Sequence, residues 1–168
     1  MTLLLPVMLV AISPWFPVRT AARGNDRGLS QLTLGKAKVS IDYGRPILKG
    51  RDPLSLMGQG EIWRAGADAP TTFDSTADLD FAGVRVPKGK HYLLVRYVEK
   101  GVWSLLISSK PAEDYEPSAK VAEVPMQLET SKDPGNELTI GLGGQGQQGK
   151  LVISWGRLRL TGRFSVAK

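Results

Sequence analysis

The chain has 168 residues, a net charge of +6, a pI near 9.7, 19 Gly, 11 Pro and no Cys. That length suits a single domain with a proper hydrophobic core. The absence of cysteine excludes disulfides, thiolate zinc sites, iron–sulfur clusters and a cysteine nucleophile. A basic pI bears on association rather than on fold. There is no dense Lys/Arg run, and Arg157, Arg159 and Arg163 fall on sheet-like sequence, which argues against nucleic-acid binding.

Residues 3–12 form an apolar run of signal-peptide length, too short to span a bilayer comfortably. Pro14 and Pro17 interrupt its continuation, and Thr20-Ala21-Ala22 offers a small-residue cleavage site. Residues 1–22 therefore read as a secretory signal peptide, although no Lys or Arg precedes the apolar run. Residues 23–31 read as a flexible lead and residues 32–168 as one β-sandwich domain. The expected location is outside the cytoplasm, periplasmic or extracellular. With no cysteine to carry a lipid, no membrane anchor is expected after cleavage.

From residue 37 the chain alternates, with Ala37, Val39, Ile41 and Tyr43 on one side and Lys38, Ser40 and Asp42 on the other. This is the pattern of a half-buried strand. Gly44-Arg45-Pro46 ends it, and residues 49–60 read as a long loop. A short strand is expected near residues 61–65, and Thr71-Thr72-Phe73 re-enters the sheet. Residues 79–81 and 84–86 flank Ala82-Gly83 as a hairpin. Residues 91–98 and 102–108 form a central hairpin rich in β-formers. Residues 111–118 read as an exposed acidic loop, residues 121–129 as an edge strand containing Pro125, and residues 131–136 as a polar link. Residues 137–142 and 151–160 pair around a Gly-rich tip, and residues 163–166 close the sheet. About eight to ten short antiparallel strands imply an all-β, jelly-roll-like sandwich.

Loops carried on such a sheet are where function usually sits, and residues 39–72 hold the densest chemistry. Tyr43, Arg45, Lys49, Arg51, Trp63, Arg64 and Thr72 are the candidate binding residues. Arginine binds carboxylate, sulfate or phosphate bidentately, and an indole offers a face to a sugar or a cation. A structural alternative has Arg45 and Arg51 tying the loop down through backbone carbonyls and Asp42. Trp103, Trp155, Tyr92 and Tyr97 lie on strands and read as core.

The run Ile41-Asp42-Tyr43-Gly44-Arg45-Pro46 with Lys49-Gly50-Arg51, then Ile62-Trp63-Arg64-Ala65-Gly66-Ala67, resembles the signature of the bacterial DUF2911 family. Gly83, Pro87, Gly89, Tyr92, Trp103, Leu151 and Trp155 extend the resemblance across residues 32–166. Departures fall at Asp68, where Asn is usual, at Pro70, where Ala is usual, and before Glu61, where Val-Pro-Tyr-Gly is common. The resemblance implies an exported β-rich domain and supplies no mechanism.

The leading functional expectation is a non-catalytic binding or accessory protein for an anionic or carbohydrate ligand. One rival is a small hydrolase using Asp68, Thr72 or His91, although no nucleophile elbow such as G-x-S-x-G is present. Another is a structural envelope protein acting through a protein partner. No cofactor is expected. With one His and no Cys, the common transition-metal sites lack ligands.

Overall fold

A computed structural model describes residues 26–168. The signal-peptide-like segment lies outside the described residues. The strands are β1 (Arg27–Leu34), β2 (Ala37–Gly44), β3 (Ile62–Trp63), β4 (Thr72–Ser75), β5 (Leu79–Phe81), β6 (Val84–Val86), β7 (Gly89–Glu99), β8 (Val102–Ser108), β9 (Lys120–Gln145) and β10 (Gln148–Val166). All pair antiparallel in the order β1-β2-β4-β7-β8-β9-β10-β5-β6, with β3 added beside β7. No α-helix occurs among the described residues.

The ten-stranded sheet folds back on itself because its last long strands serve both layers. The first part of β9 pairs with β8, from Ser108↔Lys120 to Trp103↔Met126, whereas its remainder pairs with β10. Ile41, Phe73, Leu93 and Leu105 on one layer join Leu138, Ile140, Ile153 and Leu160 on the other in a single core cluster. The Leu142 amide donates to Ser30 Oγ at 2.9 Å and draws β1 against β9.

Two sequence expectations need correction. Residues 27–31 of the expected flexible lead lie in β1, fully in register with β2. Their signal is weak because two inward positions are Gly28 and Ser30, which break the apolar alternation that Leu32 and Leu34 resume. The expected pieces at residues 121–129 and 137–142 are one continuous strand, β9, and those at 151–160 and 163–166 are one strand, β10. The polar residues 131–134 are accommodated as extra residues opposite β10, where the register slips twice. Pro125 does lie where β9 has only β8 as a ladder neighbour, which is where a residue without an N–H is tolerated.

Residues 46–60 form a strap across one end of the sandwich. It is held on one side by Leu48 N–H to Asn136 O at 2.8 Å and Leu138 N–H to Pro46 O at 3.0 Å. On the other side Gly60 N–H donates to Tyr97 O at 2.6 Å. Leu48, Pro53 and Met57 point inward and are buried, closing the core.

The β5–β6 hairpin is secured by Asp78. Its carboxylate accepts from the Lys88 amide at 2.8 Å and from Arg85 Nη2 at 2.5 Å. The Lys88 amide, followed by the Arg85 guanidinium, holds this carboxyl below its ordinary value. A depressed carboxylate contributes stability at neutral pH that is lost as pH falls through the folded value. Asp78→Asn should therefore be destabilised near pH 7 and converge on wild type in strong acid. Urea denaturation along a pH series measures this.

Candidate functional site

The structure distributes the seven candidate residues over four places. Tyr43 is 3% exposed. Its ring lies over Gly28, its direct partner on β1, where a Cβ would come within 2.5 Å of the ring. Burial raises the phenol pKa, partly offset by a backbone hydrogen bond to Ile140 and by the charge of Arg45. Arg45 forms an ion pair with Glu137 at 2.7 Å and donates to Leu138 O at 3.4 Å. Its side chain is only 11% exposed. These two residues therefore join the end of β2 to β9.

Lys49 and Arg51 lie exposed on the strap. Lys49 adopts a left-handed conformation at φ 51°, and Arg51 Nε donates back to Leu48 O at 2.9 Å. Trp63 is half-buried and stacks parallel on Trp155, with centroids 5.4 Å apart. Arg64 forms an ion pair with Glu113 at 2.9 Å and donates to Asp68 O at 3.3 Å. Asp42 is taken by Arg27 rather than by Arg45 or Arg51.

Arg45→Ala should cost about 2 kcal/mol, between the values typical of exposed and buried pairs. Arg45→Met, which keeps the stem against the protein, should cost less. Chemical denaturation of both variants measures the difference.

Thr72 lines an open groove of about 530 Å³ on the outer face of β2, β4 and β7. Cross-strand register builds it in two rows. Asp42, Thr72 and Tyr92 are successive partners in one row, and Ser40, Asp74 and Lys90 in the next. Arg27 flanks the first row, and Ala69-Pro70 form a wall. Tyr92, expected in the core, faces outward because Leu93 and Val95 take the inward positions of β7. The Arg27 guanidinium is bound by Asp42 and reaches the carbonyls of Ala69 at 3.3 Å and Pro70 at 3.5 Å. The remaining polar side chains of the two rows, Ser40, Thr72, Asp74, Lys90 and Tyr92, have no side-chain hydrogen bond or ion pair among the described residues.

The wall loop carries backbone strain. Ala65 and Asp68 have φ of 50° and 61°, a region costly for residues with a Cβ. Buried Thr71 knots the turn by donating Oγ1 to Ala65 O at 3.0 Å. Gly44 makes the loop's approach to β2 feasible, since a Cβ there would sit 2.0 Å from Ala67 O. The Tyr43-Gly44 and Ala65-Gly66-Ala67 pieces of sequence thus fit one another.

A family model described as "Protein of unknown function (DUF2911)" matches residues 26–164, a span that includes both segments. The chain belongs to the DUF2911 family. Compared with curated proteins and with solved structures, this DUF2911 chain shows no match.

The geometry also bears on catalysis in this DUF2911 domain. His91 is the partner of Phe73, whereas Thr72 is the partner of Tyr92. Because successive strand residues face opposite ways, His91 and Thr72 project from opposite faces of the sheet. His91 Nε2 lies 2.8 Å from Pro87 O. A proton relay between these two residues is geometrically closed. No group of three or more metal-ligating side chains occurs among the described residues.

The linear sequence does not single out Arg27, Ser40, Asp42, Asp74, Lys90 and Tyr92 as groove residues. The outward parity of Ser40 and Asp42 is legible there; their register with Thr72 and Asp74 is not.

Proposed function

We propose that this DUF2911 protein is a non-catalytic binding domain for a polyhydroxylated, sugar-like ligand, held in the groove on the outer face of β2, β4 and β7. The observation that carries this reading is the groove's supply of polar side chains with no side-chain partner among the described residues, beside the half-buried ring of Tyr92. Sugars are recognised by such a combination, hydroxyls pairing with carboxylate, ammonium and hydroxyl groups while a C–H face rests on an aromatic ring.

Charge balance favours a neutral ligand over an anion. Arg27 and Lys90 are set against Asp42 and Asp74 in the groove. Outside it, Arg45 and Arg64 are already engaged by Glu137 and Glu113. The strained wall supports the reading too, since strain of this kind tends to collect at functional loops. Export through the N-terminal segment would bring such a domain to periplasmic or extracellular glycans.

A thermal-shift screen against neutral and charged glycans tests the proposal. A ligand at 100 times its dissociation constant stabilises by about 2.7 kcal/mol, a shift of several degrees. Tyr92→Ala should weaken a neutral-glycan hit by about tenfold, and the hit should be insensitive to salt. A hit unchanged in Tyr92→Ala, or one that needs Lys49 or Arg51 and fades with salt, would overturn the reading.

A further inference from the structure

A separate open cleft lies at the far end of β1 and β2 from the strap. It measures about 450 Å³ and opens between the β1–β2 turn, the end of β4 and the β9–β10 turn. Its walls are Leu34, Ala37, Ala77 and Val166, all aliphatic, with Thr76 and Gln147 at the edge. Leu34 and Ala37 are almost fully buried and form the floor. Gln147 reaches across toward Gly35, its amide nitrogen within 2.9 Å of where a Cβ would be. The single charged side chain lining the cavity is Lys36, exposed and without an ion pair among the described residues. Asp78, whose backbone carbonyl accepts from Ala167 next to Val166, has its carboxylate committed to Arg85 and the Lys88 amide.

We infer that this cleft binds an aliphatic carboxylate, with the hydrocarbon chain against Leu34, Ala37, Ala77 and Val166 and the carboxylate at the Lys36 ammonium. An apolar lining with few polar groups is the usual composition of a small-molecule site. Hydrocarbon satisfies the walls, which contain no aromatic ring and no hydroxyl beyond Thr76. One unmatched cation at the rim selects a single negative head group over a neutral or positive one. The site is separate from the glycan groove and does not depend on it.

The test is an amide chemical-shift titration of the full chain with sodium octanoate, 1-octanol and octylammonium, each below its aggregation threshold. Octanoate should shift the amides of Gly35, Ala77 and Gln147 together with one dissociation constant. Octylammonium should leave them unmoved, and octanol should bind several-fold more weakly. Lys36→Gln should weaken octanoate about threefold, as an exposed ion pair allows, and bring it level with octanol. Ala77→Trp, at a half-buried wall position, should fill the cleft and weaken binding at least tenfold. Val166→Trp fills the opposite wall and serves if Ala77→Trp does not fold. Tyr92→Ala should bind octanoate as wild type does. Shifts scattered over the surface, equal responses to octanoate and octylammonium, or octanoate binding that survives a wall variant would each overturn the assignment.

Discussion

Gly44→Ala should destabilise the domain by about 3 kcal/mol or more, although a glycine-to-alanine change at an ordinary backbone angle usually stabilises. The usual gain, about 0.4–1 kcal/mol, comes from the reduced entropy of the unfolded chain. At Gly44 it is overwhelmed, because the added Cβ would lie 2.0 Å from the Ala67 carbonyl oxygen and 2.9 Å from its amide nitrogen. Both atoms are backbone, so no side-chain rotation relieves the clash. Either β2 or the strained wall loop must move, and overpacking of that kind costs about 1–3 kcal/mol and occasionally more. Gly141 supplies the control. It also has an ordinary φ, but nothing lies within 4 Å of its Cβ position. Gly141→Ala should therefore stabilise β9 by about 0.4–1 kcal/mol. Urea denaturation of the two variants should move the midpoint in opposite directions, and movement in the same direction would refute the packing of residues 65–70 on β2.

Trp155 should show a second large effect, and a contrast between two substitutions. The residue is 4% exposed and its ring stacks on Trp63. Trp155→Ala should lose about 3–5 kcal/mol through the cavity it leaves and the contact it removes, lowering the melting midpoint by about 10 °C. Trp155 Nε1, however, is a buried donor with no hydrogen-bond partner among the described residues. Burying such a group unsatisfied costs about 1–3 kcal/mol. Trp155→Phe keeps an aromatic face for Trp63 and removes the orphaned donor, so it should stay within about 1 kcal/mol of wild type. If Phe is as damaging as Ala, the indole nitrogen does more than the protein contacts indicate, and a bound water on Nε1 would be the first thing to look for.

Both effects arise in the segments that the DUF2911 signature brings together, and they separate two meanings of that signature. Gly44, Ala65, Gly66 and Ala67 are a packing solution, a loop laid on a strand at backbone distance. Arg45 and Tyr43 fasten the same strand end to β9. The cations of the signature read naturally as ligand-binding groups in a linear sequence, since four of them fall near an indole and a phenol. In three dimensions Arg45 and Arg64 face carboxylates, and Arg51 turns back on its own strap. A guanidinium is a strong partner for any nearby carboxylate, and residue type alone does not say whether that carboxylate belongs to a ligand or to the protein.

The sequence by itself determined the class of fold and several of its parts. Period-two alternation identified β2, with Val39, Ile41 and Tyr43 inward. Turn residues located the β5–β6 hairpin around Ala82-Gly83 and the β7–β8 hairpin around Lys100-Gly101. These features are local: they depend on the pleat and on backbone angles over a few residues. What the tertiary structure decided is which strands lie side by side. Alternation places Asp42 on the outward side of β2, whereas Tyr92 reads as core from its strand alone, and only the pairing of β2, β4 and β7 sets Asp42, Thr72 and Tyr92 in one row. Likewise Arg45 meets Leu138 across a separation of 93 residues. Partners that distant are chosen by the global fit of the two layers, whose energy is shared over the whole core and written at no single position.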